Sequence, residues 1–170
     1  LRVMSTFGLT DADLSALEQV DGVSEAQGSK YSDLMFIYDG RDYNTRVFSW
    51  NETAKLNRID ILEGRFPQAD NECILNVRKM NGQIGIGEKL VLTDPSDNED
   101  FPLKNKEYTI VGLFDTPMYI SSTQRGSTTI GDGSLDAFAY IPESNFTQEV
   151  YTEIYIQSEP VSYTHLTLPT

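Results

Sequence analysis

The sequence predicts an α+β fold, and three features carry that reading. A helix near the start is fully specified by its own capping residues. An Asp-Gly pair separates two strand-like runs. Most of the remainder consists of short apolar stretches punctuated by Gly, Pro, Asn and Asp. The 170 residues suit one domain or a domain and a half, and 8 Phe, 9 Tyr and 1 Trp supply the large side chains that a core needs and disordered segments lack.

Residues 2–6 form a short strand candidate. Thr10 then suits a helix N-cap, with Asp13 three positions on as a capping-box partner and Leu9 and Leu14 placed as a hydrophobic staple. Asp11 and Asp13 favour the positive end of the helix dipole, Leu14, Leu17 and Val20 make an apolar stripe, and Gly22 can close the helix after about ten residues. Val23 resumes extended structure. "YSDLMFIY" and "YNTRVFSW" flank Asp39 and Gly40, a pair that accepts the positive φ angles of a tight hairpin. If the first two strands are parallel neighbours, their crossover is right-handed. The order strand, helix, strand, hairpin is similar to the first half of a split βαβ sandwich.

From 51 to 147 the pattern is β-rich, with strands expected at 73–77, 89–93, 108–114 and 137–141. The turn-laden stretches 94–106 and 121–133 are expected as exposed loops, where contacts with partners would sit. "VYTEIYIQ" sets Val150, Thr152, Ile154 and Ile156 against Tyr151, Glu153, Tyr155 and Gln157, which predicts a half-buried strand.

Charge narrows the function classes. Against 13 basic residues stand 26 acidic ones, a net charge of −13, with no run of Lys or Arg; nucleic acid is therefore excluded as an expected partner. The longest apolar run, 34–38, falls far short of the ~20 residues of a membrane-spanning helix. The chain starts at Leu1 without a leader pattern and reads as a piece of a longer protein. A single cysteine leaves the redox compartment open. The last ten residues, 161–170, "VSYTHLTLPT", are uncharged and resemble the in-frame translation of a sequencing adapter, so they are read as an artefact. Setting them aside removes His165, the only histidine, and with it the imidazole of a His-based triad or metal site.

Candidate chemistry is sparse. Gly82, Gly85 and Gly87 lack the spacing and the following helix of a phosphate cradle. Asp94, Asp97, Glu99 and Asp100 offer oxygen ligands for a hard cation. Counted from Asp94, however, the EF-hand glycine is Glu99 and its twelfth residue is Asn105, so a solvated acidic loop is the expectation. Cys73 in "ECILNV" reads as a small buried apolar residue. Asn51 and Asn145 head glycosylation-type triplets that occur by chance. Tyr119, Phe138, Tyr140, Phe146, Tyr151 and Tyr155 could bind sugar or peptide, but strand cores use the same residues, and core is the expectation. No catalytic residue, cofactor or metal is assigned.

The ordered strings "LRVMSTFGLTDADLSALEQVDGV", "LNRIDILEGRFPQADNECIL", "IGIGEKLVL", "EYTIVGLFDTPMYI", "RGSTTIGDG" and "VYTEIYIQ" span almost the whole chain. Together they resemble the extracytoplasmic, MacB-like periplasmic core domain of FtsX-like and MacB-like ABC transporter permeases. The resemblance implies a porter-type βαβ half-sandwich with an inserted β-rich lobe. Residues 1–50 would form the first porter-like half, 51–147 the lobe, and 148–160 the first strand of a truncated second half. It implies flanking transmembrane helices of the same permease and a cytoplasmic ATPase, and leaves a permease dimer open. Gly64, Gly87 and Gly112 become turn or close-packing positions, and Arg58 and Arg65 structural cations.

The implied function is non-enzymatic: coupling ATP hydrolysis to export of, or extracellular action on, a peptide, lipid, lipoprotein or envelope component. Asp94, Asp97, Asp100, Arg125, Gly126, Gly131 and Asp132 mark the expected partner-contact loops. The rival readings are a secreted adhesion or carbohydrate-binding module and a wall hydrolase with a carboxylate pair.

Overall fold

The structure is a computed structural model, and it describes residues 1–76, 84–96, 100–115 and 126–160. The elements are β1 (Arg2–Leu9), α1 (Asp11–Glu18), β2 (Val23–Ser29), β3 (Tyr31–Tyr38), β4 (Arg41–Trp50), β5 (Asp60–Gly64), β6 (Glu72–Asn76), β7 (Lys89–Thr93), β8 (Glu107–Asp115), β9 (Ala137–Pro142) and β10 (Tyr151–Ser158). Among the described residues the chain is mostly strand with one α-helix. The 161–170 segment read as an adapter lies outside the described residues.

α1 starts as its sequence dictates. Thr10 Oγ1 accepts from the Asp13 amide at 3.3 Å, and Asp13 Oδ2 accepts from the Thr10 amide at 2.7 Å, completing the capping box. The helix ends at Glu18, sooner than the expected ten residues, with Gln19 as C-cap; Gly22 (φ +85°) instead turns the chain into β2. Leu14 and Leu17 are half-buried and Val20 is 51% exposed, so the apolar stripe is only partly covered.

β1 and β2 run parallel but are not neighbours. β10 lies between them and pairs antiparallel with both, giving a three-stranded sheet in the order β1-β10-β2. The hairpin grouped with this half in the sequence is hydrogen-bonded elsewhere. Its turn is as expected, with Asp39 at φ +48°, Gly40 at φ +71° and Tyr38 opposite Arg41. But β4 pairs parallel with β9 and β3 pairs antiparallel with β7, so the hairpin belongs to the sheet of the inserted strands.

Strands β8, β6, β9, β4, β3 and β7 pair in that order, and β7 returns to pair with β8, closing a ring; β5 extends from the far half of β8. One face of these strands carries Leu34, Phe36, Val47, Cys73, Leu75, Leu90, Leu92, Tyr108, Ile110 and Ile141, all 1% exposed or less. The other face of β4, β6, β8 and β9 packs Phe48, Ile74, Phe114, Phe138 and Tyr140 into a second cluster under Trp50, Ile59 and Phe66. Strands covered on both faces lose the period of two, which is why "AFAYI" in β9 is buried throughout. Cys73 is fully buried, and burial pushes its thiol up.

β5 was not singled out in the sequence. Gly64 (φ +81°) lies opposite Gly112 in the β5–β8 ladder; a Cβ on Gly64 would sit 2.2 Å from the Val111 carbonyl oxygen, and one on Gly112 2.4 Å from that of Arg65. Beyond it, Glu72 staples the 65–72 turn. Its carboxylate takes both Arg65 guanidinium nitrogens, at 2.6 and 2.8 Å, and the Gln68 and Ala69 amides. Arg65 is thus a paired structural cation, whereas Arg58 is exposed and has no ion pair among the described residues.

The Arg65 hydrogen bond and the turn amides hold the Glu72 carboxyl down at about 2. That stabilisation is fully present above the ordinary carboxylate range and is lost as pH falls through about 2. Glu72→Gln is therefore expected to cost on the order of 1 kcal/mol at neutral pH. Denaturant unfolding at several pH values should show the difference from wild type shrinking towards zero in strong acid.

Candidate functional site

The described parts of the two loops expected to meet partners line one groove. Asp94, Asp100 and Thr128 face Tyr31, Asp33 and Arg46 across a space of about 600 Å³. Its floor is a cross-strand ion pair in the β3–β4 hairpin: Arg46 Nε and Nη2 donate to the Asp33 carboxylate at 2.7 and 2.8 Å, and the guanidinium carbon sits 4.3 Å from the Tyr31 ring centre. Arg46 also donates to the Ser127 carbonyl at 3.2 Å, tying the second loop to the floor. Sequence reading missed this pair, although the turn at Asp39 and Gly40 sets the register that brings Asp33 opposite Arg46.

The expected site residues divide by role. Asp94 is turned inward on its own loop, accepting from the Ser96 amide and hydroxyl. Asp100 is exposed at the rim. Asp132 accepts from the Ser134 amide at 3.0 Å and from Asn44 Nδ2 at 3.0 Å, so it anchors the loop to β4. Gly131 (φ +55°) lets the backbone lie directly on that amide, since a Cβ there would be 2.4 Å from Asn44 Oδ1. Gly126 has φ +97°, and a Cβ there would meet Leu135 at 3.7 Å, an ordinary contact. Asp97 and Arg125 lie outside the described residues, as does Tyr119.

Phe138, Tyr140 and Phe146 are core residues, and Tyr151 and Tyr155 are half-buried. Asn145 is 1% exposed, its amide donating to the Asp70 carbonyl at 2.8 Å, which makes it a structural bridge rather than an acceptor site. Among the described residues no three His, Cys, Asp or Glu side chains gather as metal ligands. The groove offers hydrogen bonds and an acidic rim.

A second feature is the joint between the sheets, where β2 passes into β3 through Lys30 alone. The Lys30 amide donates to Ser49 Oγ at 2.9 Å, its carbonyl accepts the Ser49 amide at 2.8 Å, and Nζ lies 3.4 Å from Glu143. Gln27 Oε1, on β2, accepts the Lys55 and Leu56 amides at 2.9 and 2.8 Å, clasping the loop after β4. Thr152 Oγ1 accepts the Tyr31 amide at 3.0 Å. A cleft of about 340 Å³ lies beside these ties. Glu153, expected on the solvent side of β10, is fully buried, because both faces of the strand are covered at its centre.

Gly131→Ala is expected to cost about 1–3 kcal/mol, since it combines a left-handed φ with a clash against Asn44. Gly126→Ala, with the φ penalty alone, should cost less, and thermal unfolding of the two variants side by side checks the order.

Among the described residues no helix is long and apolar enough to cross a membrane. A comparison with curated proteins gives no match. The fold is similar to the extracellular domain of the noncanonic ABC-type transporter YknZ from Gram-positive bacteria, with a TM-score of 0.55 and 16% identity over 92% of this chain and 76% of that one. It is also similar to the periplasmic region of MacB from Actinobacillus actinomycetemcomitans, with a TM-score of 0.51 and 8% identity over 95% of this chain and 69% of that one. The sequence model of one family matches residues 2–165, nearly the whole chain, and agrees with both folds: the chain belongs to the family of MacB-like periplasmic core domains.

Proposed function

We propose that the chain is the extracytoplasmic part of an ABC transporter permease. In this reading it relays movement driven by a cytoplasmic ATPase to export of, or extracellular action on, a peptide, lipid, lipoprotein or envelope component, and performs no chemistry itself. One observation carries the reading. The Leu1 amine donates to the Ile156 carbonyl at 2.8 Å and the Ile156 amide to the Leu1 carbonyl at 2.9 Å, so the start of the chain and the end of β10 lie side by side in the small sheet. Everything between β2 and β10 hangs from that sheet as one insertion. Transmembrane helices attached at both places would move the small sheet directly, and the Gln27 and Lys30 ties would pass the displacement to the barrel.

The small sheet also supports the porter-type description with a second half still to be added. β1 is an edge strand carrying Met4 and Phe7 at 51% and 96% exposure, and the turn after α1 leaves Val20 half uncovered. A second helix beside α1 and a strand on the outer edge of β1 would cover both. The groove loops, with Asp94, Asp100, Gly126, Gly131 and Asp132, remain the proposed partner contacts, being far in sequence from the tethered ends.

The decisive experiment is to read the gene beyond both ends and map its topology with external protease. Hydrophobic helices on both sides and a protease-accessible domain outside the cell are expected; a leader with no membrane anchor overturns the reading. In that full permease, Gln27→Ala should lower transport several-fold while ATP hydrolysis persists. Unchanged transport would show that the clasp does not carry the movement.

A further inference from the structure

We propose that Glu153 is a protonation-controlled latch between the two sheets: protonated, it lets the three-stranded sheet close on the barrel, and ionised, it favours the sheet lifting away. The geometry leaves the ionised form poorly compensated. The Glu153 side chain is 1% exposed, yet its one ion pair among the described residues, to Arg2 Nη1, is 3.4 Å long and made with a side chain that is itself 48% exposed. Arg46 on β4 attracts the carboxylate, but its guanidinium is already held by Asp33 on β3 at 2.7 and 2.8 Å and stacked on Tyr31. Tyr155, on β10 itself, donates its hydroxyl to Glu153, a bond that either protonation state can accept. Beside it in the ladder, β1 places Met4 and β2 places Ser29, neither of them charged.

A buried carboxylate with incomplete pairing is costly, and protonation or hydration are the two ways to relieve it. Burial accordingly raises the Glu153 carboxyl above its ordinary range, against the pull of Tyr155, Arg2 and Arg46. When the sheet lifts, water reaches the group and its ordinary acidity returns. Protons therefore bind the closed state more tightly, so acid favours closure and rising pH favours opening. The joint is suited to such a change, because Lys30 is the only residue between β2 and β3.

Spin labels at Ser15→Cys on α1 and Asp42→Cys on β4, both exposed positions, read the separation of the sheets, while buried Cys73 stays unlabelled. As pH rises from below the ordinary carboxylate range to well above it, a longer-distance population is expected to grow. In Glu153→Gln, which keeps the Tyr155 hydrogen bond, that population should be absent at both ends of the range. A pH-independent distance in the unsubstituted background, or growth that persists in Glu153→Gln, overturns the proposal. Should Glu153→Gln fail to fold, Arg2→Gln serves instead: removing the nearer cation weakens the ionised closed form, so the longer-distance population above the ordinary carboxylate range must become larger, and an unchanged population overturns the latch. The distance reports only the joint, so it stands or falls apart from the membrane tether.

Discussion

β10 is hydrogen-bonded on both sides, to β1 and to β2, and this placement organises the rest of the molecule. β1 and β2 have no ladder with each other, so without β10 the small sheet would be two separated strands and a helix. Because β10 comes more than a hundred residues after β2, the intervening chain must leave the sheet and return to it. It does so as a closed ring of strands, which hides most of its own backbone edges and needs no further element to complete it. The loop-closure cost of such an excursion grows only slowly with length, so a large insertion there is tolerated.

The two parts are held together differently. The barrel has an apolar interior and a second apolar cluster on its outer face, where each large side chain contributes about 1.5–3 kcal/mol on burial. The small sheet buries only Ala26 and Ile154 among its apolar residues, and it meets the barrel largely through hydrogen bonds worth about 1 kcal/mol each, net, and through ion pairs such as Lys30 with Glu143. The barrel is therefore the rigid body, and the joint is where displacement is cheapest. Lys30 with Ser49 and Glu143, Gln27 with the 55–56 backbone, and Glu153 with its two arginines all lie on that boundary. The groove floored by Asp33 and Arg46 reaches the same boundary from the other side, since Arg46 also acts on Glu153.

Much of the local chemistry was legible in the sequence. The Thr10–Asp13 cap, the Asp39-Gly40 turn and the inserted strands β6 to β9 follow from side chains within a few residues of one another, and each lies within a residue or two of its expected place, whereas β5 carries no such local signal. Cys73 was read correctly as buried because alternation within a short strand is a local property. The ordered strings also carried the family. What the sequence could not show was which strand lies beside which. Nothing near 31–50 says that the hairpin joins the barrel instead of the first two strands, and nothing near Glu153 says that a charge at a solvent-side position will be roofed over. Those outcomes depend on ladders and packing between segments far apart in the chain, and strand pairing is indifferent to sequence separation. Propensity, caps and turns were thus set by the chain alone; the neighbour of each strand, the burial of Glu153 and the meeting of the two loops were decided by tertiary packing.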